Sequence, residues 1–252
     1  MRGNVITYNA YTISPISNGH YEVTIDLDAW LSRKQFLCFQ EKISDISKED
    51  PWFGSICTLN KSVLKYRSES LFPEKDNPPK QKVMMILGNP ATHSVANGMF
   101  FFSKNNGERH QFWGRMDNAG LLEKFECDSR EEEADKRRNF ILAEGCKSDR
   151  YLLGLTTFYS FPTPVTGSFK DVKGVETLFE DVLDRLQQME YSRLVSYDFS
   201  KDAIWVFTQK SSYQYVKSGN SFSKIAYWPL RGKGSKGEEL GGILTALQPF
   251  MP

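Results

Sequence analysis

VMMILGNPATHSVANGMFF, residues 83–101, is the stretch on which the fold turns. Val83-Met84-Met85-Ile86-Leu87 runs without a polar interruption, which is how a strand buried on both faces reads. The run stops at Gly88-Asn89-Pro90. Proline cannot donate to a sheet ladder and favours a turn, so the chain leaves the sheet there. Doubly buried strands belong to parallel sheets, and parallel sheets bind ligands outside the carboxyl ends of their strands. The polar loop that follows, with Asn89, His93 and Ser94, is therefore the first place to look for chemistry.

Working outward, residues 151–156 (YLLGLT) read as a second buried strand, residues 193–197 as a third and residues 224–228 as a fourth. Between them lie helical stretches: one from about residue 109 that Gly120 caps, one over residues 174–191 with an apolar face, a short one over 202–209 and a last one over 238–247. The charge-dense CDSREEEADKRRNF reads as a solvated helix face. Strands alternating with helices imply a three-layer α/β/α domain around a four-stranded, mostly parallel sheet. Residues 21–27 alternate polar and apolar as a half-buried strand does, and a helix is expected over 28–44. The polar, proline-rich connector at 70–80 sets the main boundary, dividing an N-terminal extension, residues 1–79, from an α/β domain, residues 80–252. Trp30, Phe36, Phe39 and Trp52 are too apolar to be left in solvent, so the extension is expected to pack on the main domain.

Bulk numbers narrow the function classes. The 252-residue chain has a net charge of +1, so any nucleic-acid surface must be a local patch. No apolar run approaches a membrane span, and the N-terminus lacks the apolar core of a secretory signal. A cytoplasmic protein that does not enter membranes is expected. Its four cysteines, Cys38, Cys57, Cys127 and Cys146, form no C-x-x-C pair, and His20, His93 and His110 form no H-x-x-x-H, so zinc sites are disfavoured. There is no G-x-G-x-x-G or G-x-S-x-G, and Gly232-Lys233 lacks the glycine and the hydroxyl residue of a phosphate-binding P-loop.

The strand-end loops have an ordered pattern. Asn89-Pro90 is followed by seven residues and then by Gly98-Met99-Phe100-Phe101. Phe112-Trp113, Ala119-Gly120-Leu121, Gly154-Leu155-Thr156 and the proline loop around Pro162 come next. In this order and spacing the chain resembles the uracil-DNA glycosylase superfamily, most closely the mismatch-specific uracil and thymine-DNA glycosylases, from about Lys82 to Trp228.

The resemblance implies a monofunctional enzyme without metal or cofactor. It would flip a nucleotide out of DNA and hydrolyse the N-glycosidic bond of uracil or a related damaged or mismatched base. It implies that Asn89 holds the attacking water, that Phe101 stacks on the base, and that His93, Ser94 and Thr157 contribute to base binding. Arg231, Gly232, Lys233 and Lys236, in the loop after Pro229, would hold DNA phosphates. DNA is the implied partner and a monomer the expected state. One departure stands out: Trp228-Pro229 is followed by Leu230-Arg231, where the family usually has a serine. A non-catalytic nucleic-acid or nucleotide-binding module on the same fold is the second reading.

Overall fold

The structure is a computed structural model that describes residues 5–8, 10–74, 80–104, 107–122, 124–164, 174–219, 224–230 and 236–247. Strands β1 (Ile6–Tyr8), β2 (Tyr11–Pro15) and β3 (His20–Asp26) come first, then helices α1 (Arg33–Glu49) and α2 (Phe53–Ile56). They are followed by β4 (Cys57–Asn60), β5 (Val63–Glu69), β6 (Gln81–Leu87), α3 (Thr92–Ala96), α4 (Gln111–Asn118) and α5 (Arg130–Glu144). The chain continues with β7 (Tyr151–Thr157), α6 (Val175–Leu178), α7 (Leu183–Ser196), β8 (Ile204–Phe207), α8 (Lys210–Gly219), β9 (Ile225–Tyr227) and α9 (Gly237–Ala246). These elements form two compact units. One is built from Met1–Glu69, Asn89–Phe100 and Tyr159–Arg193, the other from Ser70–Gly88, Phe101–Phe158 and Leu194–Pro252.

In the first unit, β1 to β5 form an antiparallel sheet in the order β1-β2-β3-β5-β4. The β2–β3 hairpin turns on Asn18 (φ 50°) and Gly19 (φ 83°). Positive φ at both central residues is the twist-compatible hairpin turn, and Asn-Gly is its preferred sequence. Along β3, Tyr21, Val23 and Ile25 are buried while Glu22 and Thr24 lie half exposed. Helix α1 starts at Ser32, whose side chain and that of Gln35 satisfy each other's backbone N–H groups. Its Phe39 packs on Phe179, and Phe161 meets Phe53, Tyr66 and Phe179 at centroid distances of 5.0–6.1 Å. Trp30 and Phe39 are buried in this unit, whereas Trp52 remains 45 % exposed. Behind this aromatic core Glu190 accepts from the Ser160 backbone and hydroxyl and from Arg193 Nε at 2.6 Å, and all three residues are fully buried.

The second unit is the three-layer α/β/α domain. Its sheet is four-stranded and all parallel, in the order β7-β6-β8-β9, and helices flank it. The central strand is β6: Val83 pairs with Leu153 of β7 on one side and with Ile204 of β8 on the other. Leu71 adds a single antiparallel bridge to Leu155 on β7. Gly154 makes the sheet's close packing possible, since a Cβ there would lie 2.5 Å from the Phe72 ring and 2.8 Å from that of Phe199.

Two elements differ from the sequence expectation. Residues 193–197, expected as a strand, carry α7 to its end at Ser196. Leu186, Glu190 and Leu194 recur every four residues and are all buried, so the helical face simply continues. Residues 202–209, expected as a short helix, hold β8 instead. Ile204-Trp205-Val206-Phe207 is an unbroken buried run of β-branched and aromatic residues, the same signal that marks β6. The sheet keeps four strands, with β8 taking the expected third place.

Candidate functional site

The strand order places a topological switch at the carboxyl ends of β6 and β8. From β6 the chain goes first to β7 on one side and then to β8 on the other. A crevice forms at such a point, and ligands of parallel sheets bind there. Gly88 follows β6, and the Gln209 side chain packs over it, with Oε1 2.9 Å from where a Cβ would lie. Thr208 N–H donates to Ile86 O at 2.9 Å across the same point. Thr157, at the end of β7 opposite Leu87, is fully buried.

Asn89 leaves β6 into the first unit. The turn it opens is held by Thr163. Thr163 N–H donates to Pro90 O at 3.0 Å, and Thr92 N–H donates to Thr163 O at 3.1 Å. Pro162 and Pro164 bracket Thr163 and keep the backbone there extended, so both its polar groups face the turn. The Asn89 amide nitrogen donates to Thr163 Oγ1 at 2.5 Å and to Pro90 O at 3.3 Å. A carbonyl can only accept, so the contact with Pro90 identifies this atom as Nδ2. The acceptor Oδ1 takes no hydrogen bond from any described residue. Thr92 donates to Asp50 Oδ2 at 2.5 Å, which anchors α3 to the end of α1.

His93 and Ser94 sit on α3. Ser94 is buried and His93 half buried, with Ser94 Oγ 3.5 Å from His93 Nε2. Asn97 donates to His93 O and Gly98 turns the chain at φ 71°. Met99 and Phe100 then go into the core of the first unit.

Phe101 belongs to the second unit and is half exposed. Its φ is +51°, a left-handed backbone that bulky residues rarely adopt. The ring stacks on His110 at 4.5 Å and 22° and lies against Phe112 at 4.4 Å. His110 caps α4 by accepting from Phe112 N–H through Nδ1, which makes Nδ1 the unprotonated nitrogen of the ring.

Of the residues expected to hold phosphates, Lys236 lies just before α9. Its backbone N–H donates to Glu239 at 2.7 Å and its carbonyl accepts from Trp228 Nε1 at 3.2 Å. Arg231, Gly232 and Lys233 lie outside the described residues. Burial pushes the Cys57 and Cys146 thiols up, so neither is a thiolate nucleophile at neutral pH. Among the described residues no helix is long and apolar enough to cross a membrane.

Sequence reasoning missed Thr163, Gln209 and the His110 stack. The proline bracket was the available signal for Thr163, and the Asn18-Gly19 turn would have revealed the first hairpin. No protein-family model, curated protein or solved structure matches the chain.

Proposed function

We propose that the protein is a DNA glycosylase that hydrolyses the N-glycosidic bond of uracil or a related damaged or mismatched base. The observation that carries this reading is the Asn89 amide. Its nitrogen is committed to Thr163 and Pro90, which leaves Oδ1 as a fixed neutral acceptor directly after the central strand. Such an acceptor orients a water without having to deprotonate it first. In the proposed reaction the water oxygen bonds to the sugar C1′ as the C1′–N bond breaks. The base departs with the bonding pair and the water's proton passes to base or solvent. The sugar is cationic in the transition state, so no strong base is required.

Phe101 supports the reading from the base's side. The ring is half buried and lies against His110 and Phe112; it is the aromatic side chain proposed to meet the flipped base, and base–aromatic stacking is worth about 1–3 kcal/mol. The net charge of +1 and the Leu230-Arg231 departure favour the second reading, a binding module without turnover. Single-turnover release of base from labelled duplexes and single strands bearing uracil, mismatched thymine or hypoxanthine separates the two. Release of any of these bases supports the enzyme. Binding without release supports the module.

A further inference from the structure

A left-handed backbone at a bulky residue such as Phe101 persists where the surrounding structure over-determines it. Two residues of the second unit supply that constraint. The indole Nε1–H of Trp113 donates to the Phe101 carbonyl at 3.0 Å, and the two rings meet edge to face at 6.5 Å. Trp113 is in turn covered by Arg137, whose guanidinium carbon lies 4.6 Å from the indole centre.

Arg137 is only 2 % exposed. It donates to Glu133 Oε1 through Nε at 3.1 Å and Nη2 at 2.6 Å. Glu133 also forms ion pairs with Arg130 and with Arg109, whose Nε lies 2.9 Å away without hydrogen-bond geometry, and Arg109 pairs with Asp117 at 2.9 Å. Arg137 Nη1 is buried with no hydrogen-bond partner among the described residues. An apolar side chain would fill this space without desolvating a cation, so the ion pair alone does not account for an arginine here. What a guanidinium adds is a flat cation locked in plane by Glu133 and laid on the indole.

We propose that Arg137 is a positioning residue for the base-stacking ring. It fixes the Trp113 indole, the indole N–H fixes the Phe101 carbonyl, and Phe101 is thereby kept in the backbone conformation that presents its ring. The proposal rests on Phe101 being the stacking ring of the proposed function. Arg137 acts through Phe101, so its loss weakens capture of the base and leaves the limiting rate of bond cleavage alone.

A double-mutant cycle tests this. Wild type, Arg137→Met, Phe101→Ala and the double variant are compared for half-saturating concentration and limiting rate on a uracil-containing single strand, and for Kd with the same strand by anisotropy. Arg137→Met should raise the half-saturating concentration and Kd by about tenfold, within the range that losing a base–aromatic stack costs. The limiting rate should stay within about twofold, as expected for an interaction made before and during cleavage alike. The double variant should be no worse than Phe101→Ala, because the two residues act in series. Additive losses overturn the proposal, as does an equal fall in limiting rate with unchanged Kd. Glu133 keeps Arg109 and Arg130 in Arg137→Met. If that variant melts early, Trp113→Phe, which keeps a ring and loses the N–H, should show the same rise in Kd.

If wild type releases no base, the glycosylase reading fails and the cycle in Kd alone decides the role of Arg137. If wild type does not bind the strand either, Phe101 is not a base-stacking ring and the proposal is overturned together with the reading it rests on. Where wild type binds, a crystal structure of Arg137→Met in which Phe101 keeps its positive φ also overturns it.

Discussion

The Asn89 side-chain amide and the Thr163 hydroxyl are joined by a 2.5 Å hydrogen bond across seventy-four positions of sequence. The bond anchors the amide, and the Pro90 carbonyl, which can only accept, fixes which end is left to accept; that choice decides whether Asn89 can hold a water or only close a turn. Thr163→Val removes the hydroxyl acceptor at nearly constant volume. Base release should fall by about tenfold to a hundredfold, because misplacing one positioning group by an ångström costs that much. Stability should drop by only about 1 kcal/mol, the net worth of one hydrogen bond. Single-turnover kinetics and a thermal melt on the same samples check both numbers.

Phe101 separates backbone strain from ring function. In its left-handed conformation glycine is at ease and alanine is not. Phe101→Gly should therefore melt higher than Phe101→Ala by the equivalent of about 1 kcal/mol. Both should lose the capture of a flat base equally. Equal melting temperatures for the two variants would show that the backbone relaxes once the ring is gone.

Glu133 gives the second unit an acid-sensitive joint. Burial by itself would raise its pKa, but hydrogen bonds and charge from Arg137, Arg130 and Arg109 hold it below the ordinary glutamate value. A group whose folded pKa is depressed stabilises the fold above its unfolded pKa and loses that contribution as pH falls through the folded one. The melting temperature should therefore decline on acidification below the ordinary glutamate range. Glu133→Gln should be less stable at neutral pH and show a flatter decline in acid. Parallel curves for the two proteins would contradict the assignment.

Two glycines of α9 should respond in opposite ways. A Cβ on Gly237 would lie 2.4 Å from Arg115 O and 2.7 Å from Ala119 N, both backbone atoms that no side-chain rotation can move. Gly237→Ala should cost about 1–3 kcal/mol by forcing α4 and α9 apart. Gly241 has open space around its missing Cβ, so Gly241→Ala should be neutral or stabilise by up to about 1 kcal/mol through helix propensity. Denaturant titration of the two variants reads the difference directly.

The parallel sheet was legible because its strands appear as apolar runs that end in a break: β6 and β7 are buried on both faces, and β9, half buried at the sheet edge, runs into Pro229. β8 carries the same signal, but its four residues lie close behind α7, whose last turn holds Leu194 and Val195, an apolar pair that by itself looks like a strand. The antiparallel sheet was legible only at β3, where alternation is regular. β1, β2, β4 and β5 pair through tight turns, and only Asn18-Gly19 announces one by its sequence. At the candidate site, Asn89 could be read from its own neighbourhood. Thr163 could not, because its role comes from a pairing that depends on the tertiary fold. The same holds for Arg137, whose segment reads as a solvated charged helix until Trp113 is found beneath it.

The central claim is that Asn89 holds the water that cleaves a base from DNA. The direct measurement is single-turnover release from a uracil-containing oligonucleotide by wild type and by Asn89→Ala, with Kd for the same strand and a thermal melt alongside. Asn89 sits half buried after a strand, so its truncation leaves no core cavity. Loss of release by about a hundredfold or more is expected, with Kd close to wild type and a melting temperature lowered only as far as in Thr163→Val, because the interaction with the water is made mainly in the transition state. Release by Asn89→Ala at the wild-type rate would contradict it.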